Sequence, residues 1–272
     1  MDLTLLLTEY KAMLSGLVIG CATITGVTLN ILYNKRIEHR LKREKQGSTA
    51  SALAAELLYN SYHLRDLYLT IHQKKAKYYK ATEYRHIDTQ VYQELLTQIG
   101  ELGSAITFMI VDTYGDIKKT KGQMEAIAEG SQKAEKPEFI MADIRMVLVK
   151  TLSCSLSLYL YSDYMTGEKW LKNISESRIV RIERALSEFC QFMEQIDKTE
   201  KTTSNTLERA GISILLETLR KILKVLPKQP TWRAQLTLRA FSYTIQNTLT
   251  RFLNIEINEY DLISEQEYSR FL

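Results

Sequence analysis

An uncharged run at residues 12–34 is the feature that most constrains this chain. At a rise of about 1.5 Å per residue, a helix of that length covers roughly 34 Å, enough for a hydrocarbon core of about 30 Å. A basic segment, 35–46, follows at once, and its basic residues are Lys35, Arg36, Arg40, Lys42, Arg43 and Lys45. Positive charge collects on the cytoplasmic side of a span. We therefore predict a single-pass transmembrane helix in the inner membrane, a signal-anchor, with residues 1–11 outside.

Two alternatives to this anchor are weaker. A cleaved signal peptide begins with basic residues, whereas the first eleven residues carry Asp2 and Glu9 against Lys11 alone. The stretch Val18–Cys21 has the form of a bacterial lipobox, in which Cys21 is lipidated. The chain stays apolar for about a dozen residues after Cys21, where a lipoprotein turns polar.

The formal net charge of +4 is concentrated beside this run. An excess confined to 35–46 predicts contact with anionic membrane lipid and no nucleic-acid footprint. One tyrosine- and lysine-rich stretch, 74–85, has the composition that binds single-stranded nucleic acid. We favour a solvated helix end there, and nucleic acid is not among the expected partners.

The remaining residues predict a cytoplasmic, all-α bundle of about six helices. A stripe spaced by three and four residues predicts a first helix from about 51 to 80: Leu53, Leu57, Asn60, Leu64, Leu67 and Ile71. Asn60 either fixes register or oligomeric state, or bonds to Glu56 or a neighbouring helix. A second helix, predicted at about 88–117, completes an antiparallel hairpin at 47–120. Gly100 and Gly103 in its interior indicate close approach by another helix.

A polar linker at 121–137 separates this hairpin from a bundle at 138–272, with Pro137 opening a helix. Within that bundle, residues 152–161 alternate leucine or cysteine with serine or tyrosine, as a strand does; we favour a helix because pairing strands are lacking. Further helices are predicted at about 173–197, 205–226 and 230–252, with a short one after 264. The basic, amphipathic stretch Leu215–Lys228 suits a membrane surface or, as we favour, a core helix with one solvated face.

No motif for chemistry is present. The chain lacks GxGxxG, GxxxxGK[ST], HExxH and GxSxG, so we predict no enzyme activity and no cofactor. Its four histidines are not at metal-ligand spacing, and no metal site is predicted. Cys154 and Cys190 lie in apolar patterns and are expected to be reduced core residues.

The first half of the chain resembles uncharacterised bacterial single-pass membrane proteins with a cytoplasmic helical hairpin. The matching residues, within 12–115, are Ala55, Glu56, Leu57, Asn60, Ile99, Gly100, Ile110, Val111 and Tyr114. The resemblance implies a bacterial or phage origin and no activity.

The sharpest functional prediction concerns helix association. Small or weakly polar residues fall on one face of the predicted span: Gly16, Gly20, Thr23, Gly26 and Asn30. Such a face lets two helix backbones approach closely. We therefore expect a membrane-anchored interaction, scaffold or sensor protein that forms a homo-oligomer and binds an unknown protein partner. The alternatives are a membrane effector that forms a pore or disrupts the bilayer, as in bacterial defence or toxin systems, and an enzyme without a local motif.

Overall fold

The computed structural model describes residues 3–74, 82–130, 137–166, 221–222 and 224–252, with side chains of 21–71 in the first range. These ranges contain helices and no strands. The six α-helices with defined bounds are α1 (Leu3–Lys74), α2 (Gln90–Glu94), α3 (Leu96–Ile99), α4 (Ser104–Ala128), α5 (Pro137–Thr166) and α6 (Thr231–Phe252). Short 3₁₀ turns lie at Glu83–His86, Gly100–Leu102 and Leu226–Lys228. The predicted all-α class is confirmed for this part of the chain.

The transmembrane helix predicted at 12–34 is not supported. Across the described ranges, no helix combines the length and the apolar character needed to cross a bilayer. A span needs about 20 predominantly apolar residues. The single-pass, signal-anchor interpretation is thus corrected to one helix that runs through the basic segment to Lys74. The inner-membrane location stays a prediction without that support.

The chain divides into two compact units, residues 1–45 and 46–272. In the first unit, every side chain from Cys21 to Lys45 is exposed except the half-buried Arg43.

The core of the second unit begins on α1. The predicted stripe is confirmed, since Leu53, Leu57, Asn60, Leu64, Leu67 and Ile71 are fully buried. The short elements after it run antiparallel to α1: Gln46 contacts Glu101, Thr49 contacts Gln98, and Asn60 contacts Asp88. Residue numbers rise along α1 as those of its partners fall.

The prediction of one continuous helix at 88–117 is wrong, because the helical conformation is interrupted at Gly103. This residue has φ 96°, a conformation that L side chains rarely adopt, and α4 begins immediately after it. The side chain of Gln235 on α6 occupies the space that a Cβ at Gly103 would fill. Close approach was the prediction for this glycine, and the structure identifies α6 as the neighbour. At Gly100 nothing lies within 4 Å of a Cβ position.

Helix α5 lies at the centre of the described core. Of residues 151–165 only Tyr159 is not buried, as expected for a helix that packs on all sides. The choice of helix over strand for 152–161 is therefore confirmed, and the period of two reflects burial of both faces. Small side chains let α1 approach: Ser155 donates a 2.8 Å hydrogen bond to the carbonyl of Ala54, and a Cβ at Gly47 would lie 2.6 Å from Thr166.

Proline and glycine mark the ends of the other helices in some places and not in others. Helix α5 begins at Pro137, whereas α4 continues past Gly122 to Ala128 and so into the segment predicted as a linker. Of the amphipathic stretch 215–228, the described Ile222 and Leu226 are buried. Outside the described residues lie the helices predicted at 173–197 and after 264, residues 205–220 of the helix predicted at 205–226, Cys190 and Tyr78–Lys80.

Candidate functional site

A buried carboxylate joins three elements of the second unit. Glu56 on α1 is 7% exposed and accepts hydrogen bonds from the backbone N–H groups of Val91 at 2.7 Å and Tyr92 at 3.1 Å. It also accepts a 2.5 Å bond from the hydroxyl of Tyr114 on α4. The first N–H groups of a helix have no acceptor within it. Glu56 therefore caps α2 from a neighbouring helix.

Asn60, one turn further along α1, bonds to Asp88, two residues before the start of α2. Its amide nitrogen donates to the carbonyl of Asp88 at 2.5 Å, and its amide oxygen accepts from the N–H of Asp88 at 2.9 Å. The expected bond to Glu56 or to a neighbouring helix is thus replaced by a pair of bonds to Asp88, which lies in the non-helical segment before α2. We call Glu56, Asn60 and Tyr114 the clamp.

Aromatic packing encloses the clamp. The rings of Tyr114 and Tyr92 stack with centroids 4.1 Å apart and planes at 19°, and the ammonium of Lys118 lies 5.2 Å from the Tyr92 centroid. Burial raises the pKa of the Tyr114 phenol, and the hydrogen bond and charge of Glu56 raise it further. Tyr114 therefore remains a protonated donor over the physiological range.

Two opposing effects act on Glu56. Burial raises its pKa, whereas hydrogen bonds from Tyr114, Val91 and Tyr92 lower it, and the net direction is upward. Three donors already engage the two carboxylate oxygens. This geometry suits a structural clamp that positions 88–92, not an acid or base aimed at a substrate.

A second ionic cluster links α4 to α5. The ammonium of Lys150 lies 2.6 Å from a carboxylate oxygen of Asp112 and also pairs with Asp116. Burial acts to lower the pKa of Lys150, but the hydrogen bonds to Asp112 and Asp116 outweigh it, so the pKa is raised. Lys150 directly precedes the uncharged part of α5, residues 151–162. Its positive charge is compensated by the carboxylates of Asp112 and Asp116.

Cys154, the described cysteine of the core, lies in surroundings that disfavour reactivity. Cys154 is fully buried, its thiol lies 3.9 Å from the carbonyl of Met109, and burial raises its pKa to about 12. The reactive form of cysteine is the thiolate, which this environment disfavours. Cys154 is a free cysteine, in keeping with the predicted reduced core residue.

Two histidines distant in sequence lie together. The His63 ring on α1 is 5.5 Å from that of His86, and Tyr59 packs edge-on against His63 at 4.3 Å. Burial and the neighbouring His86 lower the pKa of His63. Among the described side chains, no group of three histidine, cysteine or acidic residues is arranged to hold a metal ion.

The residues predicted to form an association face all lie on α1. Thr23, Gly26 and Asn30 are exposed, and nothing lies within 4 Å of a Cβ position at Gly26. Gly16 and Gly20 belong to the same helix, but their surroundings are outside the described side chains. The described part of this face, Thr23, Gly26 and Asn30, is thus exposed.

The predicted basic residues follow on the same helix. Lys35, Arg36, Arg40, Lys42 and Lys45 are exposed, and Arg43 is half-buried. Arg40 forms a 2.8 Å ion pair with Glu44 one turn ahead. The segment is a charged helical surface, not a loop.

The clamp was not predicted as a site from the residues alone. Glu56, Asn60 and Tyr114 entered only through the resemblance, in which they belong to the matching positions. The local signal was a carboxylate and an amide four residues apart beside the buried stripe. Their partners lie 28 to 58 residues further along the chain.

Comparison with known proteins identified no relative of this chain. No protein-family model, curated protein or solved structure matches the chain. The resemblance to bacterial proteins with a helical hairpin accordingly stays a prediction.

Proposed function

We propose that this protein is a helical interaction protein that self-associates through residues 21–45 of α1. One observation carries the proposal: large apolar side chains of this segment are 39 to 69% exposed. They are Ile24, Val27, Leu29, Ile31, Leu32, Tyr33, Ile37 and Leu41. Exposed apolar side chains in this number favour an interaction site, because burial of apolar surface is favourable by about 25 cal/mol per Å².

A second copy of the same segment is the partner that fits. The segment is helical throughout, so it meets a neighbour without first paying the entropy of folding. The exposed Thr23, Gly26 and Asn30 are small or weakly polar and allow another helix backbone to approach.

In this proposal the second unit supplies a body for a further protein partner. The clamp fixes α2 and α4 on α1 through three side chains, and α5 fills the core. A body built in this way presents its surface in one arrangement, which is what a scaffold requires. The buried carboxylate and thiol have structural surroundings, so no chemical step is assigned to them.

The test is the oligomeric state of the full chain. We expect chemical cross-linking in expressing cells, and sedimentation of the purified chain, to show a dimer or larger assembly. A purely monomeric chain over the micromolar range contradicts the proposal. Flotation of the monomer with liposomes identifies lipid as the cover of the apolar residues instead.

A further inference from the structure

Two histidine rings form one of the contacts between α1 and the 3₁₀ turn at Glu83–His86. The His63 ring on α1 lies 5.5 Å from the His86 ring, with the two planes at 29°. Tyr59 packs edge-on against His63, with ring centroids 4.3 Å apart. His63 is half-buried and His86 is exposed. We call His63 and His86 the histidine pair.

The segment that the pair contacts, residues 82–87, is also held in other ways. Thr70 on α1 donates a 2.8 Å hydrogen bond to the carboxylate of Glu83, and Lys121 on α4 donates a 2.8 Å bond to the carbonyl of Ile87. The side chains of Tyr84 and Ile87 are 4% and 1% exposed. Loosening of this segment would therefore expose apolar surface that is buried in the fold.

The residues that follow, 88–92, have separate anchors. Asn60 bonds to the backbone of Asp88, and Glu56 accepts the N–H groups of Val91 and Tyr92. The two segments are neighbours in sequence, but only 82–87 carries a member of the histidine pair. A change in the charge of the pair should thus act on 82–87 before it reaches 88–92.

The charge of the pair varies with pH. Imidazole gains and loses its proton between pH 5 and 8. Burial lowers the pKa of His63, and His86 lowers it further, since a second positive ring at 5.5 Å repels the first. Asp66, on the same helix, acts in the opposite direction, and it also forms a 3.3 Å ion pair with Arg65.

The other charged side chains on the elements that meet at the pair balance one another. Three are basic and three are acidic: Arg65 and Asp66 on α1, Glu83, Arg85 and Asp88 in or beside the 3₁₀ turn, and Lys121 on α4. The pair itself therefore decides whether this region carries excess positive charge.

We propose that the histidine pair is an acid-sensitive latch, which holds residues 82–87 against α1 while at least one ring is neutral and loosens them when both rings are protonated. Two neighbouring cations repel, and the short turn yields more readily than the long helix α1. The contribution of His63 to stability is fully present above 6.5, the ordinary pKa of histidine, and is lost as the pH falls through the lowered value.

Hydrogen exchange of the full chain, read by mass spectrometry, tests the latch. Wild type, His86→Gln and His39→Gln are compared at about pH 8 and about pH 5, which bracket the titration of histidine. Rates are corrected for the intrinsic effect of pH on exchange. The reporters are the N–H groups of Arg85 and Ile87, which bond within the segment to the carbonyls of residues 82 and 84. The N–H of Val91 is the internal reference.

In the wild type, we expect Arg85 and Ile87 to lose protection about three- to five-fold at the lower pH, as repulsion between two charges 5.5 Å apart in a medium close to water predicts. Protection of Val91 should change less. His86→Gln removes the second charge and should abolish most of the loss. His39 is exposed in the first unit, so His39→Gln is the matched control and should behave as the wild type.

The exchange of the C2 proton of histidine supplies a second readout, because its rate reports the pKa of each ring. The pKa of His63 should rise in His86→Gln and stay unchanged in His39→Gln. An equal loss of protection at Arg85 and Ile87 in wild type and His86→Gln overturns the latch. So does an equal loss at Val91, which indicates opening of the whole second unit, and so does a His63 pKa that ignores the substitution. Circular dichroism confirms that the variants remain helical.

Discussion

The hydroxyl of Tyr114 donates a 2.5 Å hydrogen bond to the carboxylate of Glu56, which lies 58 residues earlier in the chain. Tyr114 is fully buried and Glu56 nearly so. The same carboxylate accepts two N–H groups at the start of α2. One buried charge therefore holds α1, α2 and α4 together, and its removal should affect all three contacts.

Tyr114→Phe should destabilise the fold while keeping its ring stacked on Tyr92. The change removes one hydrogen bond to a charged group, which is worth roughly 1.5 to 3 kcal/mol. Urea unfolding followed by circular dichroism measures the loss. Tyr62→Phe is the control, since Tyr62 is 42% exposed on α1, the helix that carries Glu56. Equal midpoints for the two variants would show that the Glu56 contact contributes nothing.

The stability of the wild type relative to Glu56→Gln should depend on pH. Burial raises the pKa of Glu56 in the folded state, so the folded state binds this proton more tightly than the unfolded state. This contribution is fully present below the ordinary pKa of a glutamate, about 4.5, and is lost as pH rises through the raised value. Glutamine lacks it.

Unfolding free energies of both proteins across the acidic range measure this effect. The advantage of the wild type should grow as the pH falls toward that of an ordinary carboxyl group. An advantage that shrinks instead would mean that hydrogen bonds from Tyr114, Val91 and Tyr92 outweigh burial.

Gly103→Ala should destabilise the second unit. A φ of 96° is strained for alanine by about 1 to 3 kcal/mol, and its methyl group would displace the Gln235 side chain. Gln235 then loses its 2.6 Å bond to the carbonyl of Leu102. Thermal unfolding monitors the change.

Gly115→Ala is the matched control for that variant. Gly115 lies within α4, where nothing approaches a Cβ position within 4 Å. Alanine there should stabilise the helix by about 0.5 to 1 kcal/mol. The two substitutions, twelve residues apart, should thus shift the melting temperature in opposite directions, and a shared direction would contradict the close approach at Gly103.

Residues 46–272 should fold without the preceding segment, because they form a compact unit with their own buried core. We expect a fragment beginning at Gln46 to be monomeric, helical by circular dichroism and cooperative on melting. A fragment that stays dispersed only in detergent would reveal an apolar face of the second unit that needs a cover.

Local pattern predicted the helices that pack along one face or on all sides. The stripe from Leu53 to Ile71 is buried as spaced, and residues 152–161 are helical despite their alternation. Local pattern failed at 88–117, since the helical spacing of apolar residues continues through Gly103 although the helical conformation of the backbone does not. At 12–34 the absence of charge predicted a membrane span, whereas no helix in the described ranges is long and apolar enough to cross a bilayer.

Local sequence patterns are sufficient to predict the all-helical class, the buried face of α1 and the start of α5 at Pro137. These follow from spacing, proline and side-chain polarity, which act within a few residues of one another. Three contacts come instead from the packing of distant helices: Glu56 caps α2, Gln235 fills the space beside Gly103, and Lys150 pairs with Asp112 and Asp116. Such pairings join residues tens of positions apart, and the packing of helices, not the local pattern, brings them within hydrogen-bonding distance.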